Sequence, residues 1–285
     1  MRFPWQKKNT VNQPVSDQPA IDRFLFRTWS FSETGPTREL NEDSIVHFHP
    51  DRARNSFFAM VADGMGGHSA GEIASHIACR EAEFFIQSGY NQQDVPAMLN
   101  ELVQQMHRSI LNEGEKNEDY RGMGTTSTVF FCRENEAWLA QVGDSRLYHF
   151  NGSELNQCSN DQTLVNQMVK EGRLTAGEAE HHDMKNILVQ ALGTVKKVEP
   201  EILKLSDLRA GDYYFLCSDG IYDVFSPGEL RSLFRMDDAA LSMECMKALC
   251  YERKAQDNVS AILIEIAVRK TLPDSSITRE QNVIS

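Results

Sequence analysis

Phe57-Phe58-Ala59-Met60-Val61-Ala62-Asp63-Gly64-Met65-Gly66-Gly67-His68 sets six apolar residues against an acid and a run of glycines. An apolar run this short, bounded by turn residues, reads as a buried strand. Asp63 ends it, and the glycine loop leads into Ser69-Ala70-Gly71-Glu72, a capping box that opens a helix over 70–87. A nucleotide-binding loop is one reading of the glycines. It fails because G-x-G-x-x-G, counted from Gly64, needs glycine at 69, where Ser69 stands. A bare carboxylate at the strand end would also repel a pyrophosphate. Asp63 makes better sense as a metal ligand, with the glycines letting backbone carbonyls approach the same ion. A tight turn capped by Asp63 is the reading this stretch leaves open beside it.

Outward from this stretch, other acids sit at strand junctions. Arg38-Glu39-Leu40-Asn41-Glu42-Asp43 precedes a strand at 44–48, and Gly143-Asp144-Ser145 joins two strands. Ser218-Asp219-Gly220 ends another strand, and Asp257-Asn258 opens the last. Each acid alone is usually a turn residue or a helix cap. Several strand-to-Asp junctions together point to convergence at one edge of a pair of sheets.

Further strands are expected at 57–62, 126–132, 137–142, 146–150, 154–158, 213–218 and 258–267. The turns 133–136 and Asn151-Gly152 suggest antiparallel hairpins, the second of type I′, which needs positive φ at both central residues. Helices are expected at 70–87, 94–113, 227–234 and 238–253, with a short one after the capping box Thr175-Ala176-Gly177-Glu178. Hairpins and paired helices argue for antiparallel sheets under helical layers, not for repeated βαβ units.

The 285 residues are 25% charged and 41% hydrophobic, an ordinary globular mix. Asp+Glu outnumber Lys+Arg by 41 to 29, a formal charge of −12. That excludes a nucleic-acid binder and disfavours an anionic membrane surface, because both are held by basic patches. Six cysteines without a C-x-x-C pair read as reduced thiols of the cytoplasm. Residues 1–22 read as a flexible leader without a secretory core, 23–268 as one domain, and 269–285 as a flexible tail.

Six motifs in order carry a resemblance: R-x-x-N-E-D at 38–43, A-D-G-M-G-G-H at 62–68, G-x-G-T-T at 122–126, V-G-D-S-R at 142–146, S-D-G at 218–220 and D-N at 257–258. The chain resembles the PP2C (PPM) family of metal-dependent Ser/Thr protein phosphatases, in its short bacterial form. The resemblance implies an α+β fold, a four-layer α/β/β/α sandwich with two central antiparallel sheets and helices on both outer faces. It implies hydrolysis of phosphoserine and phosphothreonine on proteins by a water bridging two Mn²⁺ or Mg²⁺ ions. Asp63 would bridge both ions, the Gly64 carbonyl would ligate one, and Asp219 and Asp257 the other. Glu42 and Asp43 would hold bound waters, and Asp144 would join Asp219 at a third ion. All these donors are hard oxygens, which suits Mg²⁺ or Mn²⁺ better than Zn²⁺. Arg38 would clamp phosphate through its guanidinium fork, and His68 would protonate the leaving oxygen.

The implied partners are phosphorylated proteins and a cognate Ser/Thr kinase, with the enzyme a monomer. A non-catalytic phosphoprotein-binding regulator and a stress-pathway regulatory phosphatase are the alternatives. Ser145 and Ser218 lie outside any G-x-S-x-G elbow, so a serine hydrolase is poorly supported. His181-His182 reads as a polar helix end. Residues 160–188 resemble the family's flap, which contributes to substrate choice. There the D-H-S/T pattern becomes Asp161-Gln162-Thr163, and T-R-A-L-G becomes Val189-Gln190-Ala191-Leu192-Gly193.

Overall fold

A computed structural model describes residues 24–51, 55–67, 70–88 and 94–268. The expected leader and tail, and His68 with the Ser69 cap, lie outside the described residues. The described residues begin with β1 (Phe24–Glu33), β2 (Asp43–Phe48), β3 (Ser56–Met65), α1 (Ala70–Gln87) and α2 (Val95–Lys116). Next come β4 (Gly124–Thr125), β5 (Ser127–Arg133), β6 (Glu136–Val142), β7 (Arg146–Phe150) and β8 (Leu155–Gln157). The flap holds α3 (Leu164–Lys170) and α4 (Ala176–Glu180), followed by β9 (Glu201–Lys204) and β10 (Tyr213–Cys217). The chain closes with α5 (Asp219–Tyr222), α6 (Pro227–Phe234), α7 (Ala239–Glu252) and β11 (Val259–Val268).

Two antiparallel sheets result. One runs β1-β11-β10-β7-β8, and the other β2-β3-β5-β6-β9 with β4 paired to β3. Strand alternation sorts the apolar side chains into three layers. Phe57, Ala59 and Val61 of β3 meet Tyr214, Leu216, Ile262 and Ile264 between the sheets. Phe58, Met60 and Ala62 face the other way, against Ala74, Ala78, Leu99 and Leu102 of α1 and α2. Phe215 and Leu263 meet Phe234, Met243 and Met246 of α6 and α7 on the opposite outer face. β3 is therefore apolar on both faces, which explains its unbroken run. Burial of each large side chain contributes about 1.5–3 kcal/mol. The expected α/β/β/α sandwich is the observed one.

Local differences have identifiable causes. β3 does not end at Asp63: Gly64 and Met65 continue it by pairing with Thr125 and Gly124. The Asn151-Gly152 hairpin forms, but only Gly152 has positive φ (+89°). Asn151 Oδ1 instead accepts from the backbone N–H groups of Ser153 and Glu154, an Asx turn in place of type I′. The strands β1, β4 and β9 and the helices α3 and α5 add to the expected set. Four cysteines are buried, two are partly buried, and all six are free thiols. Among the described residues no helix is long and apolar enough to cross a membrane.

Candidate metal centre

The sandwich brings the strand-end acids to one edge. Asp43, the first residue of β2, stands opposite Asp63 in the β2–β3 ladder. Asp219 begins α5 directly after β10, and Asp257 precedes β11, so the second sheet presents them at the same edge. Asp144 lies in the turn between β6 and β7. The charges of Asp43, Asp219, Asp144 and Asp257 all act on Asp63.

Burial is the main cause of the raised pKa values here, and neighbouring carboxylates add to it. Asp63 is held well above the ordinary carboxylate range by burial, then by Asp43 and Asp219. Asp219 is raised likewise by burial, Asp257 and Asp144. Burial lifts Asp43 to about 6, against hydrogen bonds from Ser218 and Ser260. Asp144 also rises to about 6, through burial and Asp161, against Tyr222 and Arg146. Glu42 is raised by burial, with Arg38 opposing. Gathering so many carboxylates without a cation is costly.

Neutral groups hold the backbones of Asp63 and Glu42 and one carboxylate oxygen of Asp43. Asp63 N–H donates to Thr126 Oγ1 at 2.9 Å, while its carbonyl accepts from Thr125 Oγ1 at 2.9 Å and Thr126 N at 2.8 Å. Ser218 Oγ donates to Asp43 Oδ2 at 2.7 Å. Asn258 Oδ1 accepts from Glu42 N at 2.9 Å, and its Nδ2 donates to the carbonyls of Thr34 (2.9 Å) and Leu40 (2.8 Å). Ser75 Oγ donates to the Glu42 carbonyl at 2.6 Å. These supporting residues fall within or beside the motifs, but their roles emerge only when the sheets meet. Gly64 and Gly71 allow three segments to touch: a Cβ at Gly64 would overlap the carbonyl oxygens of Gly71 and Glu42.

Two buried carboxylate oxygens, Glu42 Oε1 and Asp219 Oδ1, have no hydrogen-bond partner. An unpartnered buried carboxylate oxygen is strongly unfavourable unless a cation or water meets it. The donor set is hard oxygen throughout, so these residues fit Mg²⁺ or Mn²⁺. Among the described residues no three Asp, Glu, His or Cys side chains close around one point. An ion at this edge therefore needs carbonyl and water ligands beside the carboxylates, as Mg²⁺ commonly takes.

Arg38 is half exposed at the rim, its Nη2 donating to Asp257 Oδ2 at 2.6 Å and its Nε to the Gln256 carbonyl at 3.2 Å. Ser145 and Ser218 are fully buried, Ser145 Oγ lying 2.7 Å from Thr126 Oγ1. Neither is placed as a nucleophile. His181 caps α4, and His182 Nδ1 accepts from Met184 N at 3.1 Å, a polar helix end.

Sandwich and acid pattern together are those of the metal-dependent protein phosphatase class. The chain belongs to the protein phosphatase 2C family, whose model matches residues 37–262. It is 34% identical over 243 residues to the serine/threonine protein phosphatase PstP of Mycobacterium tuberculosis, covering 85% of this chain and 45% of PstP. The chain thus spans about half the length of that relative. Protein phosphatase PhpP of Streptococcus pneumoniae is 33% identical over 242 residues, covering 82% of this chain and 95% of PhpP. The crystal structure of the PstP catalytic domain in complex with 2 manganese ions matches at a TM-score of 0.75 and 31% identity, covering 86% of this chain and 99% of that one.

Proposed function

We propose that this chain hydrolyses phosphoserine and phosphothreonine on proteins with two Mn²⁺ or Mg²⁺ ions at the carboxylate edge. The observation that carries this reading is the convergence of Glu42, Asp43, Asp63, Asp144, Asp219 and Asp257, with two buried carboxylate oxygens left unpartnered. Bound divalent ions would supply Lewis acidity and neutralise phosphate charge. Asp63, the Gly64 carbonyl, Asp219 and Asp257 would hold the two ions. Glu42 and Asp43 would orient their waters, and Asp144 with Asp219 would serve a third, weaker ion. Arg38, at the rim with one face in solvent, would orient the phosphate by its planar fork. His68 would donate the proton to the departing hydroxyl oxygen.

Substrates of this kind require an opposing Ser/Thr kinase, and a reducing cytoplasm agrees with six unpaired thiols. The enzyme acts as a monomer, from one domain over 23–268. The deciding experiment is phosphate release from a phosphothreonine peptide. Purified protein releases phosphate with Mn²⁺ and stops in EDTA; metal-independent release, or none, would overturn the reading.

A further inference from the structure

The two departures from the family pattern meet in space. Gln162 stands where the pattern has histidine, and Gln190 where it has arginine. Gln190 Nε2 donates to Gln162 Oε1 at 3.0 Å. The same Oε1 accepts from Gly143 N at 2.8 Å, and Gln162 Nε2 donates to the Gln141 carbonyl at 3.3 Å. Gln162 backbone N–H donates to the Gly143 carbonyl at 3.0 Å. Gln162 thus grips the Gly143 peptide on both its polar atoms. Gln190 is tied from behind, donating to the Glu199 carbonyl at 2.7 Å and accepting from Glu199 N at 3.1 Å.

This network sits at the foot of the flap. Val189 N donates to the Gln162 carbonyl at 2.9 Å, Leu164 N donates to the Ile187 carbonyl at 2.7 Å, and Thr163 bridges Leu188. The flap therefore leaves and returns through a single stem. On the other side, Gly143 packs closely against Thr126. Its φ is +94°, and a Cβ there would lie 2.6 Å from the Thr126 side chain. The next residue is Asp144. A second clamp runs parallel to the first: Arg146 bonds Asp161 through Nε and Nη2, the shortest contact being 2.6 Å, and stacks 3.6 Å from the centre of the Tyr222 ring.

The two replacements are chemically matched. A side-chain amide oxygen accepts two bonds while its nitrogen donates. A neutral imidazole has one donor and one acceptor, so after serving Gly143 N and the Gln141 carbonyl it would have nothing for residue 190. With glutamine at 162, the second lone pair needs a donor, and Gln190 supplies it.

We propose that Gln162 and Gln190 act as one coupled pair of positioning residues, fixing the flap stem to the Gly143–Asp144 turn and so setting the approach of protein substrates. The pair leaves the handling of a small phosphate ester untouched. The substrate half of this inference rests on the phosphatase reading; the anchoring half does not.

The test compares wild type, Gln162→Ala, Gln190→Ala, the double variant and Gln162→Glu. Hydrogen exchange is followed first, without metal, at the backbone amides of Gly143, Leu164 and Val189. Each alanine variant exchanges about tenfold faster, the loss expected for one or two part-buried hydrogen bonds, and the double variant exchanges no faster than the worse single one. With Mn²⁺, KM for a phosphothreonine peptide rises about tenfold in either single variant, whereas KM for p-nitrophenyl phosphate changes less than about twofold. Gln162→Glu keeps both acceptor contacts but turns an oxygen on the Gln141 carbonyl, so its amides exchange faster than those of wild type. Unchanged exchange, multiplicative effects in the double variant, or equal loss on both substrates would each overturn the pair. A wild-type protein idle on both substrates but with coupled exchange would overturn the phosphatase reading and uphold the anchoring.

Discussion

Ser218 Oγ donates to Asp43 Oδ2 at 2.7 Å, joining the end of one sheet to the first residue of a strand in the other. The same hydroxyl accepts from Ser260 N at 3.2 Å, so it is spent on the site and gives α5 no side-chain cap. Ser218→Ala leaves a buried carboxylate short of a donor and should cost about 1–3 kcal/mol. In a domain of this size that lowers the melting midpoint by roughly 2–4 °C per kcal/mol, measurable by calorimetry. An unshifted midpoint would show that the contact adds nothing to stability.

Asp63→Asn preserves shape and removes a charge from the centre of the carboxylate set. Phosphopeptide turnover should fall below detection while the fold persists, as read by circular dichroism. Because one of several repelling carboxylates is gone, the metal-free variant should melt no lower than wild type. Retained turnover would rule out a two-ion centre built on Asp63.

Arg38→Ala separates phosphate binding from metal binding. KM for the phosphopeptide should rise by an order of magnitude or more, as charge-assisted bidentate contacts are lost. Calorimetric titration with Mn²⁺ should show a much smaller change. Arg38→Lys should recover only part of the loss, since an ammonium cannot present the fork.

Asp43 fixes the sign of a pH effect. Its carboxyl is raised from 3.8 to about 6 in the folded chain without metal. Between those values the folded state holds a proton that the unfolded chain has released. Stability in EDTA should therefore fall as pH rises through this window. Mn²⁺ competes with that proton, so the rise in melting midpoint on adding Mn²⁺ should be larger at about pH 7 than at about pH 5. Equal increments at both would contradict the raised value.

Gly64→Ala tests the close approach of three backbones. The new methyl would overlap the carbonyl oxygens of Gly71 and Glu42, neither of which is a flexible side-chain end. Urea unfolding should show a loss of about 3 kcal/mol or more. A near-neutral result would mean that the β3–α1 junction yields more easily than its packing indicates.

Much of this was legible in the residues, for physical reasons that differ by element. The β3 run was readable because both its faces are buried, and the Thr175 box because its hydrogen bonds are local. The other capping box, Ser226 with Glu229, is equally local. Continuation of β3 through Gly64 was not readable, since the partner strand lies at Gly124–Thr125 and glycine carries no strand signal of its own. The acids could be picked out from motifs, yet the hold on Glu42 by Asn258 spans 216 residues and follows only from the joined sheets. The Gln162–Gln190 bond is similar: each residue looked like a separate departure until the stem brought them together.

β1 pairs with β11 along its full length, from Phe24 opposite Val268 to Glu33 opposite Val259. Among the described residues the first strand must therefore wait for the last before it can pair, and Asp257 lies just before that last strand. Sheet closure of this range is slow to nucleate, because the intervening loop must first be gathered. The carboxylate set is consequently complete only once the β11 segment, with Asp257 at its entry, has reached β1.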